Sequence, residues 1–417
     1  MPNGVQPGAT GDLAIHGGEP VRPTRRSALP VVSEAAKADV QRILNHGTLA
    51  QFYGGTEVRH FEGEFATHFG RTEAVAVNSG TAALHVAFVA ARLPEGSEAL
   101  VPANAYISAA SALIQAGLVP VVVDIDPVTW AMDPADCLRK LTPRTRLMVP
   151  VHMYGQPCPM DELTKLAADH GLLIIEDCGQ SHGALSNGRL TGTFGLAAAF
   201  SLCCRKHVAI GEGGMVMTDD AEFAATCRSL AHKGKGKGWF EYLEMGYSYN
   251  MTEVQAALGR HQLAQLDDQL ATRTSLAAVL REQLADLGLE FPQVLPGSTH
   301  GYFKQNALVP RELTAQRNEI VEAIRAENVG CDPTHPHLLD IDWLREQRPG
   351  FFRTLPPEHR PDYGPGTAAT ARELLARQIC IEVGPGLDRS DIDCTVLAIR
   401  KVLRHYRASA GLPEVAA

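Results

Sequence analysis

The run Ser201-Leu-Cys-Cys-Arg-Lys-His-Val-Ala-Ile-Gly-Glu-Gly-Gly-Met-Val-Met-Thr218 sets one lysine, Lys206, between an apolar strand-like stretch and a glycine-rich turn. Before it, Ala197-Ala-Ala-Phe-Ser-Leu-Cys-Cys204 is small and apolar; after it, Gly211-Glu-Gly-Gly214 forces the chain to turn tightly. Burial disfavours the ammonium form, so a lysine held in such a place becomes a better nucleophile than a solvated one. A solvated lysine at a strand edge is the ordinary alternative. Lys206 stands out because a second charged group, Asp177 in Glu176-Asp-Cys-Gly-Gln-Ser-His-Gly-Ala184, ends another apolar run upstream.

Working outward from these two, short apolar runs alternate with helical ones. Ala74–Val77, Glu98–Val101, Val119–Asp124, Arg146–Val151 and Leu172–Asp177 read as strands, with helices starting at Thr81, near Ile107 and near Met160. Strands that are apolar throughout and separated by helices imply a mainly parallel sheet covered on both faces. The fold class is therefore α/β, and in such sheets ligands sit beyond the carboxyl ends of the strands. Ahead of the sheet, Val58, Phe61, Phe65 and Phe69 follow the three- and four-residue steps of an amphipathic helix. Beyond Tyr249, residues 252–287 read as one long helix or a kinked pair, and the domain junction falls near Gln262.

Three parts are thus expected: a disordered start over 1–14, a large α/β domain over 15–262, and a smaller C-terminal α+β domain over 263–417. In the last part a helix over 315–327 and a closing helix to about Tyr406, capped by Ser390, are predicted. The five prolines between Arg348 and Gly366 predict a loop without regular structure.

Composition narrows the function. The 417 residues carry a formal charge of −9, are 45% hydrophobic and 20% charged, and contain no basic tract interleaved with aromatics, which argues against a nucleic-acid binder. The short Lys233-Gly-Lys-Gly-Lys237 run reads as a solvated loop. Nine cysteines, an odd number without regular short spacing, do not make a disulfide framework, and reduced thiols in the cytoplasm are the simpler reading. No stretch approaches the ~20 continuous apolar residues of a membrane-spanning helix.

Four features could carry chemistry. In Val77-Asn-Ser-Gly-Thr-Ala-Ala-Leu84, Ser79 and Thr81 offer hydroxyls and Gly80 a close backbone N–H at a helix start, which suits an anion, although a plain N-cap explains the same residues. Asp177 ends a buried strand, where its charge is costly unless paired; a pyridinium N–H is a suitable partner and a structural ion pair the alternative. Lys206 could form a Schiff base and then move a proton between carbons. Tyr106, after Val101-Pro-Ala-Asn-Ala105, could stack on a flat cofactor or simply pack in the core. Together they suggest an enzyme that uses pyridoxal phosphate.

In this order the segments resemble the DegT/DnrJ/EryC1/StrS sugar aminotransferases, a branch of the fold-type I pyridoxal phosphate enzymes. The resemblance spans about Gly17 to Leu270. It rests on Gly17-Gly-Glu-Pro20, Asn78–Leu84, Val151-His-Met-Tyr-Gly-Gln156, Glu176-Asp177, Gln180-Ser-His-Gly-Ala184, Gly211–Gly214 and Met251-Thr-Glu-Val-Gln-Ala256. It implies that Lys206 holds the cofactor and acts as proton-transfer base, that Asp177 faces the pyridine nitrogen, and that Gln180 lies near the ring with Tyr106 stacked on it. It also puts Gly80, Thr81 and Ser201 on the phosphate, with Ser79 adjacent. Relatives usually read Gly-Tyr-Asn-Tyr-Arg-Met where this chain has Gly246-Tyr-Ser-Tyr-Asn-Met251, and their Asn reaches the phosphate of the partner subunit's cofactor; Ser248 stands there instead.

A homodimer with shared sites is implied in the same way. So is an amino transfer from glutamate or glutamine, through pyridoxamine phosphate, to a nucleotide-linked keto sugar. A cyclitol ketone, or a dehydratase or epimerase reaction, is the alternative. Lys304 is a further cation that could meet an acidic substrate, with solvation at the surface the ordinary alternative.

Overall fold

The computed structural model describes residues 12–236, 238 and 240–413. Seven strands form the main sheet: β1 (Glu73–Val77), β2 (Glu98–Pro102), β3 (Val119–Val123), β4 (Thr145–Met148), β5 (Leu173–Asp177), β8 (Ala197–Ser201) and β9 (Gly214–Thr218). Between β5 and β8 lies a small hairpin of β6 (Leu185–Ser186) and β7 (Arg189–Leu190). The sheet order is β1-β9-β8-β5-β4-β2-β3. The pairs from β8 to β3 are parallel, and only β9 runs the other way, antiparallel to both β8 and β1. The mainly parallel α/β sheet expected from the apolar runs is therefore present, as a fold-type I arrangement.

Side-chain alternation explains how helices come to cover both faces. Val75, Val77, Ala197, Ala199 and Val216 point into one core with the Gly80–Ala90, Ile107–Gln115 and Ala221–Ala231 helices. Their neighbours Ala74, Ala76, Ala198, Phe200, Met215 and Met217 point into another with the Glu57–Phe69 helix, where the predicted Val58, Phe61, Phe65 and Phe69 stripe is wholly buried. The ends of β1, β5 and β8 bring Ser79, Asp177 and Ser201 to one edge of the sheet.

The long apolar run after Tyr249 is two helices, Glu253–Leu263 and Leu266–Gln283, with Ala264 and Gln265 between them. Leu263 and Leu266 belong to the core under the Glu57–Phe69 helix, whereas Leu276, Leu280, Leu284 and Leu287 belong to a separate core. That second core is built on β10 (Gln305–Leu308), β11 (Cys331–Pro333) and β12 (Gln378–Ile381), an antiparallel sheet of order β10-β12-β11. Residues between β11 and β12 leave it: Leu338, Leu344, Phe352, Tyr363 and Leu374 pack into the first core, and the Tyr363 hydroxyl donates to Pro120 O at 2.5 Å.

Three local expectations change. The disordered start proposed for 1–14 falls on residues 1–11 outside the described part, but Leu13 is buried in the second core and Ala14–His16 forms a 3₁₀ turn tied to the Glu327 carboxylate. The proline-rich 348–366 segment contains the Gly350–Thr354 helix and the Pro357–His359 3₁₀ turn. Pro349 precedes the helix and Pro357 opens the turn, places where a missing N–H costs nothing. Finally, Asp388 rather than Ser390 caps the Arg389–Ser409 helix, in a reciprocal box with Asp391. A carboxylate accepts more strongly than a hydroxyl, and Ser390 donates to that carboxylate at 2.6 Å.

Candidate active site

The lysine loop is pinned at its base and open at its tip. Leu202 N donates to Gly213 O and Cys204 N to Gly211 O, both at 2.8 Å, so the glycine turn closes the chain between β8 and β9. Lys206 is half-buried, and its Nζ lies 4.4 Å from the centre of the Phe303 ring. Burial holds its pKa below the ordinary lysine value; nearby Lys304 acts in the same direction, while Cys203 and Asp177 oppose it. Among the described residues no carboxylate forms an ion pair with Lys206, which keeps the amine available.

Asp177 sits at the carboxyl end of β5. Its Oδ1 accepts Gly179 N at 3.0 Å, and Oδ2 takes no hydrogen bond from any described residue. Burial raises its carboxyl above the ordinary range, against the pull of the Gly179 N–H and of Lys206 and His152. Its neighbour Glu176 points to the opposite side and is fully buried. There it accepts Gly192 N and Phe194 N at 2.8 Å, Gly195 N at 3.1 Å and His152 Nε2 at 3.1 Å. Because Cys158 N donates to His152 Nδ1 at 3.0 Å, the imidazole proton is on Nε2, toward Glu176. One carboxylate therefore fixes the strand end that presents the other.

The anion cradle is formed by close backbone approach. Ser79 caps the Gly80–Ala90 helix by accepting Ala82 N at 3.1 Å, and Thr81 Oγ1 meets Ser108 Oγ at 2.8 Å. Capping takes up only some of the first-turn donors, so the Gly80 and Thr81 N–H groups face outward with the positive end of the helix dipole. A Cβ on Gly80 would lie 2.6 Å from Ser201 Cβ, and one on Gly214 would lie 2.2 Å from Ser79 O. Only glycine lets β8, β9 and this turn meet.

The remaining wall joins the anticipated Tyr106 and Gln180 to Tyr154 and His335, which the sequence reading did not single out. Tyr106 is 46% exposed and meets the His335 ring edge-on at 5.0 Å; His335 in turn stacks parallel to Tyr154 at 5.9 Å. Tyr154 is held at φ 59° in the left-handed region, donates its N–H to Gln180 Oε1 at 2.8 Å, and its hydroxyl meets Thr334 Oγ1 at 2.9 Å and accepts His335 N at 3.0 Å. Burial, then Lys206 and Lys304, lower the His335 pKa to about 4, so the ring is neutral near pH 7. Lys304, read as a cation that is either solvated or open to an acidic substrate, is instead buried, paired with Asp332 and 3.8 Å from Glu382.

Lys206, Asp177, Gln180, Tyr106, Ser79, Gly80, Thr81 and Ser201 thus share one edge of the sheet. Ser248 is not brought to them: it is exposed, paired through its backbone with His232, in a segment that meets the cradle where Asn78 N donates to Tyr249 O at 2.8 Å and where the Tyr249 hydroxyl meets His85 Nδ1 at 3.1 Å.

Residues 30–400 match the DegT/DnrJ/EryC1/StrS aminotransferase family. Among curated relatives, the GDP-perosamine synthase of Caulobacter vibrioides is 36% identical over 68% of this chain and 78% of its own length. The L-glutamine:2-deoxy-scyllo-inosose aminotransferase of Streptomyces paromomycinus is 34% identical over 96% of this chain and 100% of its own. Among solved structures, S. venezuelae DesV in complex with a ketimine intermediate superposes with a TM-score of 0.80 at 30% identity, covering 91% of this chain and 99% of that one.

Proposed function

Since the chain belongs to the DegT/DnrJ/EryC1/StrS aminotransferase family, we propose that it binds pyridoxal phosphate at Lys206 and passes an amino group from glutamate or glutamine to a ketone carbon of a sugar or cyclitol ring. The observation that carries this reading is the pairing of Lys206, an amine that no carboxylate of the described residues pairs with, and Asp177, a carboxylate that keeps one oxygen free of them, on one sheet edge. The residues fit the group. Free helix N–H donors beside Gly80 suit a phosphate, the unused Asp177 oxygen suits a pyridinium N–H, and the exposed Tyr106 ring suits a flat heterocycle.

When bound, the cofactor supplies an electrophilic carbonyl and an electron sink. Asp177 keeps a proton on the ring nitrogen by offering it a fixed negative charge. Gly80, Thr81 and Ser201 hold the phosphate, and Gln180 is kept beside the ring by its bond to Tyr154 N. Lys206 is the base that takes a proton from one carbon and returns it to another, a role served by an amine whose pKa burial has lowered.

A homodimer is supported by the apolar surface near Ser248, where Phe240, Leu243 and Met245 are 81%, 64% and 82% exposed. In that arrangement Ser248 would donate to the phosphate in the partner's site. The separate core on β10, β11 and β12 supports a smaller C-terminal unit within 263–417, while Leu338 to Leu375 of that stretch pack with the 15–262 part. A cytoplasmic setting accords with nine free cysteines, and among the described residues no helix is long and apolar enough to cross a membrane.

A free cyclitol is favoured over a nucleotide-linked sugar by one observation: the charge of Lys304 is already taken by Asp332 and Glu382. Two experiments separate the readings. Glutamine or glutamate should convert the bound cofactor to its amine form, and Lys206→Ala should abolish both that conversion and the absorbance of the lysine-bound cofactor. No conversion with any amino acid would end the aminotransferase reading. Competition by a nucleoside diphosphate would favour the nucleotide sugar, and its absence the cyclitol.

A further inference from the structure

His207 follows the lysine, yet the chemistry above does not use it. It is fully buried, and its Nε2 donates to Gly301 O at 2.8 Å. That bond fixes the proton on Nε2 and leaves Nδ1 without a partner among the described residues, and the buried His182 ring lies 5.2 Å away between centres. Gly301 opens the segment that crosses from the second core to the lysine. Gly301 N donates to Gly155 O at 2.8 Å, Arg273 donates to Tyr302 O at 3.0 Å and Val383 O at 2.7 Å, and Phe303 lies against the Lys206 ammonium. The packing leaves no slack: a Cβ on Gly155 would meet Tyr302 N at 2.7 Å.

We propose that His207 is a positioning residue, clamping the Gly301–Lys304 segment over the lysine loop so that Phe303 shields the Lys206 amine from water. The inference rests on the reading of Lys206 as the reactive amine. The clamp is local in sequence to the lysine but reaches a segment of the second core, so it makes the amine's surroundings depend on how that segment docks. Burial is the largest cause of the depressed Lys206 pKa, and the other groups that face the amine are Asp177, Cys203 and Lys304, with His182, His207 and His335 around them. A displaced Phe303 admits water and returns the amine toward its ordinary value.

The test uses the full-length, cofactor-free protein, labelling amines with trinitrobenzenesulfonate across pH and reading the Lys206 peptide by mass spectrometry. His207→Leu should move the labelling midpoint upward by about one pH unit, a tenfold loss of reactive amine at fixed pH. His207→Gln, whose terminal N–H can reach Gly301 O, should restore it. Phe303→Ala should reproduce the shift, and combining it with His207→Leu should add little, since both act through one contact. An unshifted midpoint in His207→Leu, or full additivity, overturns the proposal. If the leucine variant does not fold, His207→Gln and Phe303→Ala decide together: a natural midpoint in the first with a shifted one in the second supports the clamp, and a glutamine variant shifted as far as Phe303→Ala refutes it. An unaltered labelling response with His207→Gln and Phe303→Ala alike also refutes it. Because this readout needs no cofactor or turnover, it fails independently of the aminotransferase reading.

Discussion

Replacing Glu176, the buried neighbour of Asp177, tests how the site is held. Its carboxylate accepts four hydrogen bonds, from Gly192 N, Phe194 N, Gly195 N and His152 Nε2. Alanine orphans all four donors at a fully buried position; at about 1 kcal/mol each, the lower end for a buried unsatisfied group, the loss is about 4 kcal/mol. Glutamine retains an oxygen that can serve Phe194 and Gly195, but its NH₂ then faces two donors. His152 cannot adapt by moving its proton, because Nδ1 is already occupied by Cys158 N. The expected loss for Glu176→Gln is therefore about 2 kcal/mol.

Calorimetry at a fixed scan rate should show melting temperatures lowered by about 8 °C and 4 °C respectively, at ~2 °C per kcal/mol for a chain of this size. Hydrogen exchange should quicken at the 192–195 amides. The pH dependence has a definite sign. Burial would raise the Glu176 carboxyl, but His152 and the Gly192 and Gly195 N–H groups hold it below the ordinary glutamate value. Its contribution is present above that ordinary value and disappears as pH falls through the depressed one, so the natural and glutamine proteins should converge in acid. A glutamine variant as stable as the natural protein at pH 7, or a gap that widens in acid, would refute the reasoning.

Gly80→Ala places a Cβ 2.6 Å from Ser201 Cβ. Overpacking there should cost about 1–3 kcal/mol, and equilibrium titration should show pyridoxal phosphate bound at least about fivefold more weakly, since ~1.4 kcal/mol is a factor of ten; unchanged affinity would count against the cradle. Asp388→Ala should destabilise by about 1 kcal/mol through loss of the cap, and denaturant unfolding should show Ser390→Ala costing distinctly less, because Ser390 only donates to the capping carboxylate.

The parts of this site that could be read from residue order are those set by local chemistry. Lys206 between an apolar strand and a glycine turn, Asp177 at the end of an apolar run, and a small-residue helix start each carry their environment in a few neighbouring residues. The run of apolar strands likewise announces a parallel sheet. What escaped reading depends on contacts between distant segments. His335 lies in the proline-flanked stretch just after β11 and gains its place by contacts with the distant Tyr154 and Tyr106. The left-handed backbone of Tyr154 has no signature, because glycine is the residue expected there. The expected helix cap lies two residues late, since Asp and Ser are both good caps and only the hydrogen-bond geometry chooses between Asp388 and Ser390.

The reversed strand also bears on when the molecule becomes an enzyme during its own synthesis. β9 is inserted between β8 and β1 and pairs Glu73 with Thr218, while Gly214 at its start backs onto the Ser79 turn. A nascent chain can pair its parallel strands and rest the Gly80 helix start on Ser201, but the Gly214 contact with the Ser79 turn that closes the loop bearing Lys206 forms only once Thr218 has left the ribosome. Cofactor capture therefore waits on one late, long-range insertion, and the half-made chain up to that point exposes an unpaired edge on β8 that a chaperone, or another nascent copy, could occupy first.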